Sequence, residues 1–250
     1  MIAPVGKGRT QWVSFSGIDG AGKSTQIEGL RAAVEQRGLS VRVIRFWDDV
    51  SRLKSVRETS GHRIFKGDRG IGSPEKPINR RDKNVRSWPM SCVRLFLYSV
   101  DAISTRQAVA KALGSGWDFV IFDRYIYDEL ANLNLGNRLM RGFVHLLMNF
   151  VPRPDIGFIL DADPAAARAR KPEYPLDFLH ENREAYLKLS RLIGGMTVIP
   201  PGDAAAVKRE VLRRALDLLS ARAEGRGCNS ADQISDHASA ICSKQPARLD

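Results

Sequence analysis

The stretch WVSFSGIDGAGKSTQIEGL, residues 12–30, places a short apolar run directly before a glycine-rich turn and a helical pattern. Within it, Gly17 to Ser24 has the spacing G-x-x-x-x-G-K-S, in which backbone N–H groups wrap nucleotide phosphates and the lysine supplies a point charge. The following helix directs its N-terminal N–H groups and the positive end of its dipole at the same anion. The alternative is a glycine-rich turn with a surface lysine, but strand, loop and helix in this order is the context that the motif requires. The sequence therefore predicts a nucleotide phosphate site.

The residues of this loop supply most of the predicted nucleotide contacts. The hydroxyl that follows the lysine, at Ser24, is the expected Mg²⁺ ligand. The predicted nucleotide-binding residues of the loop are Gly17, Asp19, Gly20, Ala21, Gly22, Lys23, Ser24 and Thr25.

Length and composition favour one large domain. The 250 residues are 43% hydrophobic, enough to bury a full core. No apolar run reaches the length of a membrane span, and the first ten residues lack the apolar stretch of a signal peptide. The three cysteines (Cys92, Cys228 and Cys242) have no metal-ligand or redox spacing. These features predict a cytoplasmic protein that does not insert into a membrane.

The net charge of +11 is unevenly distributed. Residues 51–90 carry eleven Lys or Arg and four Asp or Glu, a net charge of +7, with little periodic hydrophobicity. This composition predicts a long basic loop. Three interpretations of this loop are open. It is either a solvated charged loop without a specific partner, a contact surface for a polyanion such as nucleic acid, or a flap that closes over a phosphorylated substrate.

Apolar runs and helical patterns alternate along the rest of the chain. The predicted strands cover residues 12–15, 39–47, 117–123, 154–162 and 195–200, and the predicted helices cover residues 26–36, 91–113, 129–151, 163–171, 178–194 and 203–223. Because strands that alternate with helices form parallel sheets, the pattern predicts an α/β fold with helices on both faces of the sheet. Residues 224–250 lose this pattern and are predicted to be a disordered tail.

The segment FVIFDRY, residues 119–125, carries a second chemical signal. An apolar strand that ends at Asp123 places a carboxylate at the carboxyl edge of the sheet, beside the phosphate loop. There it can orient water on Mg²⁺, while Arg124 can bind phosphoryl oxygens in a bidentate manner. A strand-end ion pair at the surface is the alternative. The upstream glycine loop favours the functional interpretation.

Taken together, four segments resemble the thymidylate kinase family of nucleoside monophosphate kinases. They are GIDGAGKST at 17–25, RLFLYSVDAISTRQAVAKAL at 94–113, DRY at 123–125, and PDIGFILDADPAAARARK at 154–171 together with ENREAYLKLS at 181–190. The resemblance implies a P-loop NTPase-type three-layer sandwich with a five-stranded parallel sheet and a short lid. It also implies transfer of the γ-phosphoryl group of ATP to dTMP, with Mg²⁺ as cofactor. The implied kinase domain covers residues 11–223, with the lid at 164–177 and a basic extension at 1–10.

The resemblance also implies roles for individual residues. Asp19 is similar to the carboxylate that meets the acceptor sugar, and Arg124 to the arginine that bridges donor and acceptor phosphates. Since no basic residue lies between Gly17 and Gly22, the lid cations are expected to neutralise the migrating group. The implied catalytic residues are Lys23, Arg124, Arg168 and Arg170, and Lys171 is implied to bind ATP. The implied substrate-binding residues are Asp19, Arg45, Asp101, Arg124, Tyr125 and Asp128, and the implied metal ligands are Ser24 and Asp123.

The sequence departs from the family pattern on the acceptor side. No Arg-Glu-Pro-Gly turn follows the second strand, and Ala102 stands where an arginine is expected. The serine-rich step and the Tyr-Gln that reads thymine are replaced by Asp128, Glu129, Asn132 and Asn134. Because acids repel a phosphate in a closed cleft, Asp128 and Glu129 suit hydroxyls or an amine better. dTMP is therefore only the default acceptor. The alternatives are another small-molecule acceptor for the same kinase core, or a nucleotide-binding regulatory protein that engages a polyanion. The family resemblance also makes a homodimer possible.

Overall fold

The computed structural model describes residues 9–50 and 88–220. The predictions for residues 1–8 of the basic extension, for the disordered tail and for nearly all of the basic loop at 51–90 lie outside the described residues. The last three residues assigned to that loop, 88–90, begin a helix instead. The boundaries drawn for the kinase domain remain a prediction.

Five parallel strands form one sheet, which confirms the predicted α/β fold class. They are β1 (Gln11–Ser16), β2 (Val41–Arg45), β3 (Phe119–Asp123), β4 (Ile156–Leu160) and β5 (Met196–Ile199). Their spatial order is β2-β3-β1-β4-β5. The strand that precedes the glycine loop is therefore central, and the strand that ends at Asp123 is its immediate neighbour. In such a sheet, ligands bind outside the carboxyl ends of the central strands.

Helices connect the strands. They are α1 (Lys23–Glu35), α2 (Trp88–Gly114), α3 (Ile126–Leu130), α4 (Arg138–Phe150), α5 (Pro164–Arg170), α6 (Leu176–Ile193) and α7 (204–220), and a π-helical turn (Phe46–Val50) follows β2. Among the residues described, none of these helices is long and apolar enough to cross a membrane.

Two hydrophobic clusters lie on opposite faces of the sheet and make a three-layer sandwich. On one face, α1 packs Leu30 and Val34 with α7 against Phe15 of β1 and Phe158 of β4. On the other face, Trp12 of β1 packs with residues of α2, α4 and α6. Successive side chains of a strand point to opposite faces, so one strand contributes to both clusters. The central strands are consequently buried on both sides.

One predicted helix is two helices in the structure. The pattern at 129–151 predicted a single segment, whereas α3 ends at Leu130 and α4 begins at Arg138. The residues between them form polar turns, because Asn134 Oδ1 accepts from Gly136 N (3.1 Å) and Asn137 Oδ1 caps α4 by accepting from Leu139 N (2.8 Å). Asparagine side chains compete with helical hydrogen bonds in this way.

Candidate active site

The glycine loop joins β1 to α1 and depends on conformations that favour glycine. Gly20 and Gly22 have φ angles of 82° and 87°, and Gly22 is the residue that caps α1. A Cβ atom on Gly20 would lie 2.3 Å from the carbonyl oxygen of Ala167, which belongs to α5. Such a contact is far too short for a side chain. The loop and the predicted lid helix are therefore packed backbone to backbone at this point.

Lys23 begins α1 and folds back over the loop. Its Nζ donates to the carbonyl oxygens of Gly17 and Ile18, each at 2.9 Å, and the side chain is buried. Burial, followed by the positive charge of Arg124, lowers the pKa of Lys23 to about 8, even though three carboxylates oppose the shift. In the ligand-free protein the ammonium is thus held by the loop that it would share with a polyphosphate.

The lowered pKa of Lys23 leads to a testable pH dependence. We expect the affinity for ATP to fall as the pH rises from about 8 toward the ordinary lysine value of 10.5, because the polyphosphate attracts only the protonated amine. Calorimetric titration of ATP across this range measures the effect. In Lys23→Arg the side chain stays charged across this range. The ATP affinity of this variant should therefore be lower than that of the unmodified protein but should not change with pH. A flat profile for the unmodified protein would contradict the expectation.

Arg124 directly follows β3 and is the one non-glycine residue of the described ranges with a positive φ, at 69°. Its guanidinium makes a very short contact with Asp19 of the glycine loop through Nη2, and its Nη1 donates to Asp128 Oδ1 at 2.9 Å. Left-handed backbone at a non-glycine residue costs about 1–3 kcal/mol and persists where the surroundings impose it. The arginine thus bridges the loop and α3.

Asp19 is a carboxylate surrounded by cations. Burial would raise its pKa, but the charges of Arg124, Lys23 and Lys171 outweigh burial and hold the pKa below its ordinary value. Lys171 Nζ lies 4.0 Å from Asp19 Oδ1 and 3.3 Å from Glu173 Oε2. Asp19 is therefore an anion at neutral pH that joins the loop, the arginine and the lid region.

Asp128 lies beneath Arg124, buried in the protein. Its Oδ2 accepts from Ser16 Oγ at 2.7 Å and from Tyr125 N at 3.2 Å, and its Oδ1 accepts from Tyr186 Oη at 2.8 Å in addition to Arg124. Its side chain is 2% exposed. The structure places this predicted substrate ligand in an internal network.

The two predicted metal ligands stand at the same edge of the sheet. Ser24 is exposed in the first turn of α1, and Asp123 ends β3 opposite Phe15 of β1. Within residues 9–50 and 88–220, no group of three or more acidic, histidine or cysteine side chains is arranged to hold a metal ion. This donor set fits Mg²⁺ that arrives with nucleotide phosphates, since Mg²⁺ commonly keeps several waters and takes one or two protein ligands.

Helix α5, at the start of the predicted lid, begins where the sequence pattern predicts a helix. Asp163 caps it by accepting from Ala166 N at 2.9 Å, and Pro164 is its first residue. Arg168 and Arg170 occupy its last turn, the first partly buried and the second exposed. Of the three predicted lid cations, Lys171 is the one that the structure brings near Asp19.

The remaining predicted substrate residues are divided between the cleft and the core. Arg45 ends β2 in register with Asp123 and is exposed at the carboxyl edge of the sheet. Tyr125 is fully buried, its ring packs on Trp12, and its hydroxyl donates to Pro152 O at 2.5 Å. Asp101 is fully buried within α2. The structure brings Arg45 to the carboxyl edge of the sheet beside Asp123, while the Tyr125 side chain belongs to the core.

Two residues of α6 contact the site and were missed in the sequence. Arg183 donates to both oxygens of Asp161, at 2.6 and 2.8 Å, and Tyr186 one turn later donates to Asp128. Asp161 follows β4, so α6 is tied to two chain segments at the carboxyl edge. Arg183 and Tyr186 lie three residues apart on one face of α6, but this spacing does not indicate their partners, which are distant in the sequence.

Comparison with known proteins agrees with this architecture. Residues 82–210 match the family model described as thymidylate kinase. The chain is 27% identical over 182 residues to a probable thymidylate kinase of Methanosphaera stadtmanae, covering 71% of this chain and 83% of that protein. It is 28% identical over 193 residues to the thymidylate kinase of Prochlorococcus marinus, covering 76% and 80%. A probable thymidylate kinase of Pyrobaculum aerophilum is 28% identical over 221 residues, covering 81% and 96%.

The family model spans just over half of the chain, and the protein belongs to the thymidylate kinase family. It is accordingly an ATP-dependent kinase, a nucleotide-binding transferase with a P-loop fold. The match to the family model begins after the glycine loop, so the description of that loop rests on its own geometry.

Proposed function

We propose that this protein transfers the γ-phosphoryl group of ATP to the phosphate of a nucleoside monophosphate, with dTMP as the first acceptor to test. The observation that carries the proposal is the convergence of Lys23, Arg124 and Asp19 at the carboxyl edge of the central strands. Two cations at one polyphosphate loop, with a carboxylate between them, suit a reaction in which negative charge migrates. Family membership supports the nucleotide substrate.

In the proposed reaction, an oxygen of the acceptor phosphate forms a bond to the γ-phosphorus of ATP as the bond to the β–γ bridging oxygen breaks, and ADP leaves. Lys23 and the loop N–H groups bind the donor phosphates. Arg124 leaves Asp19 to contact the migrating group, and Asp19 accepts a hydrogen bond from an acceptor hydroxyl. Arg168, Arg170 and Lys171 close over ATP. Mg²⁺ held by Ser24 and Asp123 would neutralise phosphate charge.

A screen of ADP release against candidate acceptors identifies the substrate. We expect steady ADP release when ATP is mixed with one member of a panel of nucleoside monophosphates, nucleosides and sugar alcohols, and no release without an acceptor. Release with dTMP supports the default. Release with a different member supports the kinase activity and identifies another acceptor. The departures from the family pattern at Asp101-Ala102 and Asp128-Glu129 are consistent with such a result. An absence of ADP release with all nucleoside monophosphates would refute the proposal.

The regulatory alternative depends on the basic loop at 51–90, nearly all of which lies outside the described residues. Binding of a polyanion by several Lys and Arg weakens steeply as salt is added. A kinase activity that changes little between low and physiological salt therefore argues against that alternative.

A homodimer and a cytoplasmic location complete the proposal. Large apolar side chains are exposed on the adjacent helices α2 (Phe96 and Ile103) and α4 (Leu139 and Leu146), and these offer a surface for a second copy. A monomeric mass in analytical ultracentrifugation at micromolar concentration would exclude the dimer. The cytoplasm is the compartment in which ATP and nucleoside monophosphates are both available.

A further inference from the structure

We propose that Asp128 is a positioning residue, which acts by holding Arg124 in the orientation needed for phosphoryl transfer. The proposal rests on the proposed function and adds to it a residue that was first assigned to the substrate.

Asp128 is fixed from several directions. Its donors come from the end of β1 (Ser16), from α6 (Tyr186), from the backbone N–H of Tyr125 and from Arg124. Burying a carboxylate is costly unless it is paired and hydrogen-bonded, and four donors satisfy that requirement. The position of this anion is therefore set by the sheet and by α6, and it does not depend on a ligand in the cleft.

The two carboxylates that contact Arg124 differ in accessibility. Asp19 has a side chain that is 22% exposed, whereas that of Asp128 is 2% exposed. A phosphoryl group that enters from the cleft can replace Asp19 at Nη2, but it cannot reach the Asp128 contact at Nη1. One edge of the guanidinium therefore stays anchored while the other edge is released to the substrate.

Anchoring of this kind has a catalytic consequence. Arg124 has a long side chain with several rotatable bonds, and ordering it only in the transition state would cost conformational entropy. A donor that is already oriented needs no reorganisation when charge develops on the phosphoryl group. The contribution of Asp128 should accordingly appear in turnover and only weakly in ATP binding.

The test is Asp128→Asn, which keeps the shape of the side chain and removes its charge. We expect kcat to fall roughly ten- to a hundredfold, with the KM for ATP changed by no more than about threefold. Asp155→Asn is the matched control. Asp155 also accepts hydrogen bonds from an arginine (Arg9, 3.2 Å) and from a backbone N–H (Trp12, 2.9 Å). It differs in its position, because it precedes β4 at the opposite edge of the sheet. Its kcat should change by less than about twofold.

Combination with Arg124→Ala separates positioning from a general structural role. If Asp128 acts through the arginine, Asp128→Asn causes no further loss of kcat in the Arg124→Ala background. Equal factors of loss in both backgrounds would overturn the proposal. If Asp128→Asn does not fold, Tyr186→Phe removes a single donor to the same carboxylate and is carried through the same pair of backgrounds.

Chemical labelling gives a readout that needs no acceptor. Phenylglyoxal modifies accessible arginines, and mass spectrometry of the ligand-free protein measures the rate at Arg124. We expect severalfold faster labelling of Arg124 in Asp128→Asn and an unchanged rate in Asp155→Asn. An unchanged rate in Asp128→Asn overturns the positioning role. A wild-type protein that transfers phosphate to no nucleoside monophosphate refutes the proposed function instead, and labelling still decides the role of Asp128.

Discussion

Replacing Lys23 with alanine should abolish phosphoryl transfer and leave the fold intact. The ammonium is the single positive charge inside the glycine loop, and electrostatic contacts to a migrating phosphoryl group are worth about a hundred- to a thousandfold in turnover each. The fold should survive because burial already opposes the charged form of this lysine, as its lowered pKa of about 8 shows. Initial rates of ADP release with ATP and dTMP, or with the acceptor found by screening, measure the loss.

Lys208→Ala is the control for this substitution, since it removes an exposed lysine from α7 on the outer layer of the sandwich. Its turnover should equal that of the unmodified protein. Thermal unfolding of Lys23→Ala verifies that the protein is folded during the assay. A folded Lys23→Ala protein with normal turnover would show that the glycine loop is not the donor site.

The fold was predictable where local pattern and tertiary environment agree. β3 (FVIFD) and β4 (IGFIL) lie within apolar runs of the sequence, because strands buried on both faces contain few polar residues. The helix predicted at 129–151 was wrong in its middle, since the asparagines at 134 and 137 bond to nearby backbone and end the helical pattern. Periodicity detects the apolar face of a helix, but it is insensitive to such local side-chain bonds.

The candidate site likewise combines a local motif, which the sequence predicts, with contacts between distant residues, which it does not predict. The glycine loop is encoded in nine consecutive residues, so its strand–loop–helix context could be predicted from spacing alone. The contact between Asp128 and Tyr186 joins residues 58 positions apart, and no local pattern reports it. Tyr125 illustrates the opposite difficulty, because it adjoins Arg124 in the chain while its ring points into the core. Adjacent residues after a strand face opposite sides, and sequence alone does not say which side is the cleft.

Replacing Arg124 with alanine should reduce kcat by about a hundred- to a thousandfold, with a much smaller change in the dissociation constant for ATP. The reason is that Arg124 contacts Asp19 and Asp128 before the reaction and gains its phosphoryl contact only as charge moves. The substitution also leaves the buried Asp128 without its cation, which costs stability, while the strained φ of 69° is no easier for alanine. Rates must therefore be measured well below the melting temperature of the variant.

Arg124→Lys and Arg213→Ala complete the experiment. The lysine variant keeps one charge but loses the fork that reaches Asp128 and a phosphoryl group together, so its kcat should lie nearer to that of alanine than to that of the unmodified protein. Arg213 forms exposed ion pairs with Glu210 and Asp217 on α7, and its removal should leave kcat unchanged. If Arg124→Ala instead weakens ATP binding by the full factor and leaves kcat intact, the arginine binds the donor uniformly. It would then have no special contact with the migrating group. The acceptor phosphate would have to be held by another cation, such as Arg45, which is in register with Asp123 at the carboxyl edge of the sheet.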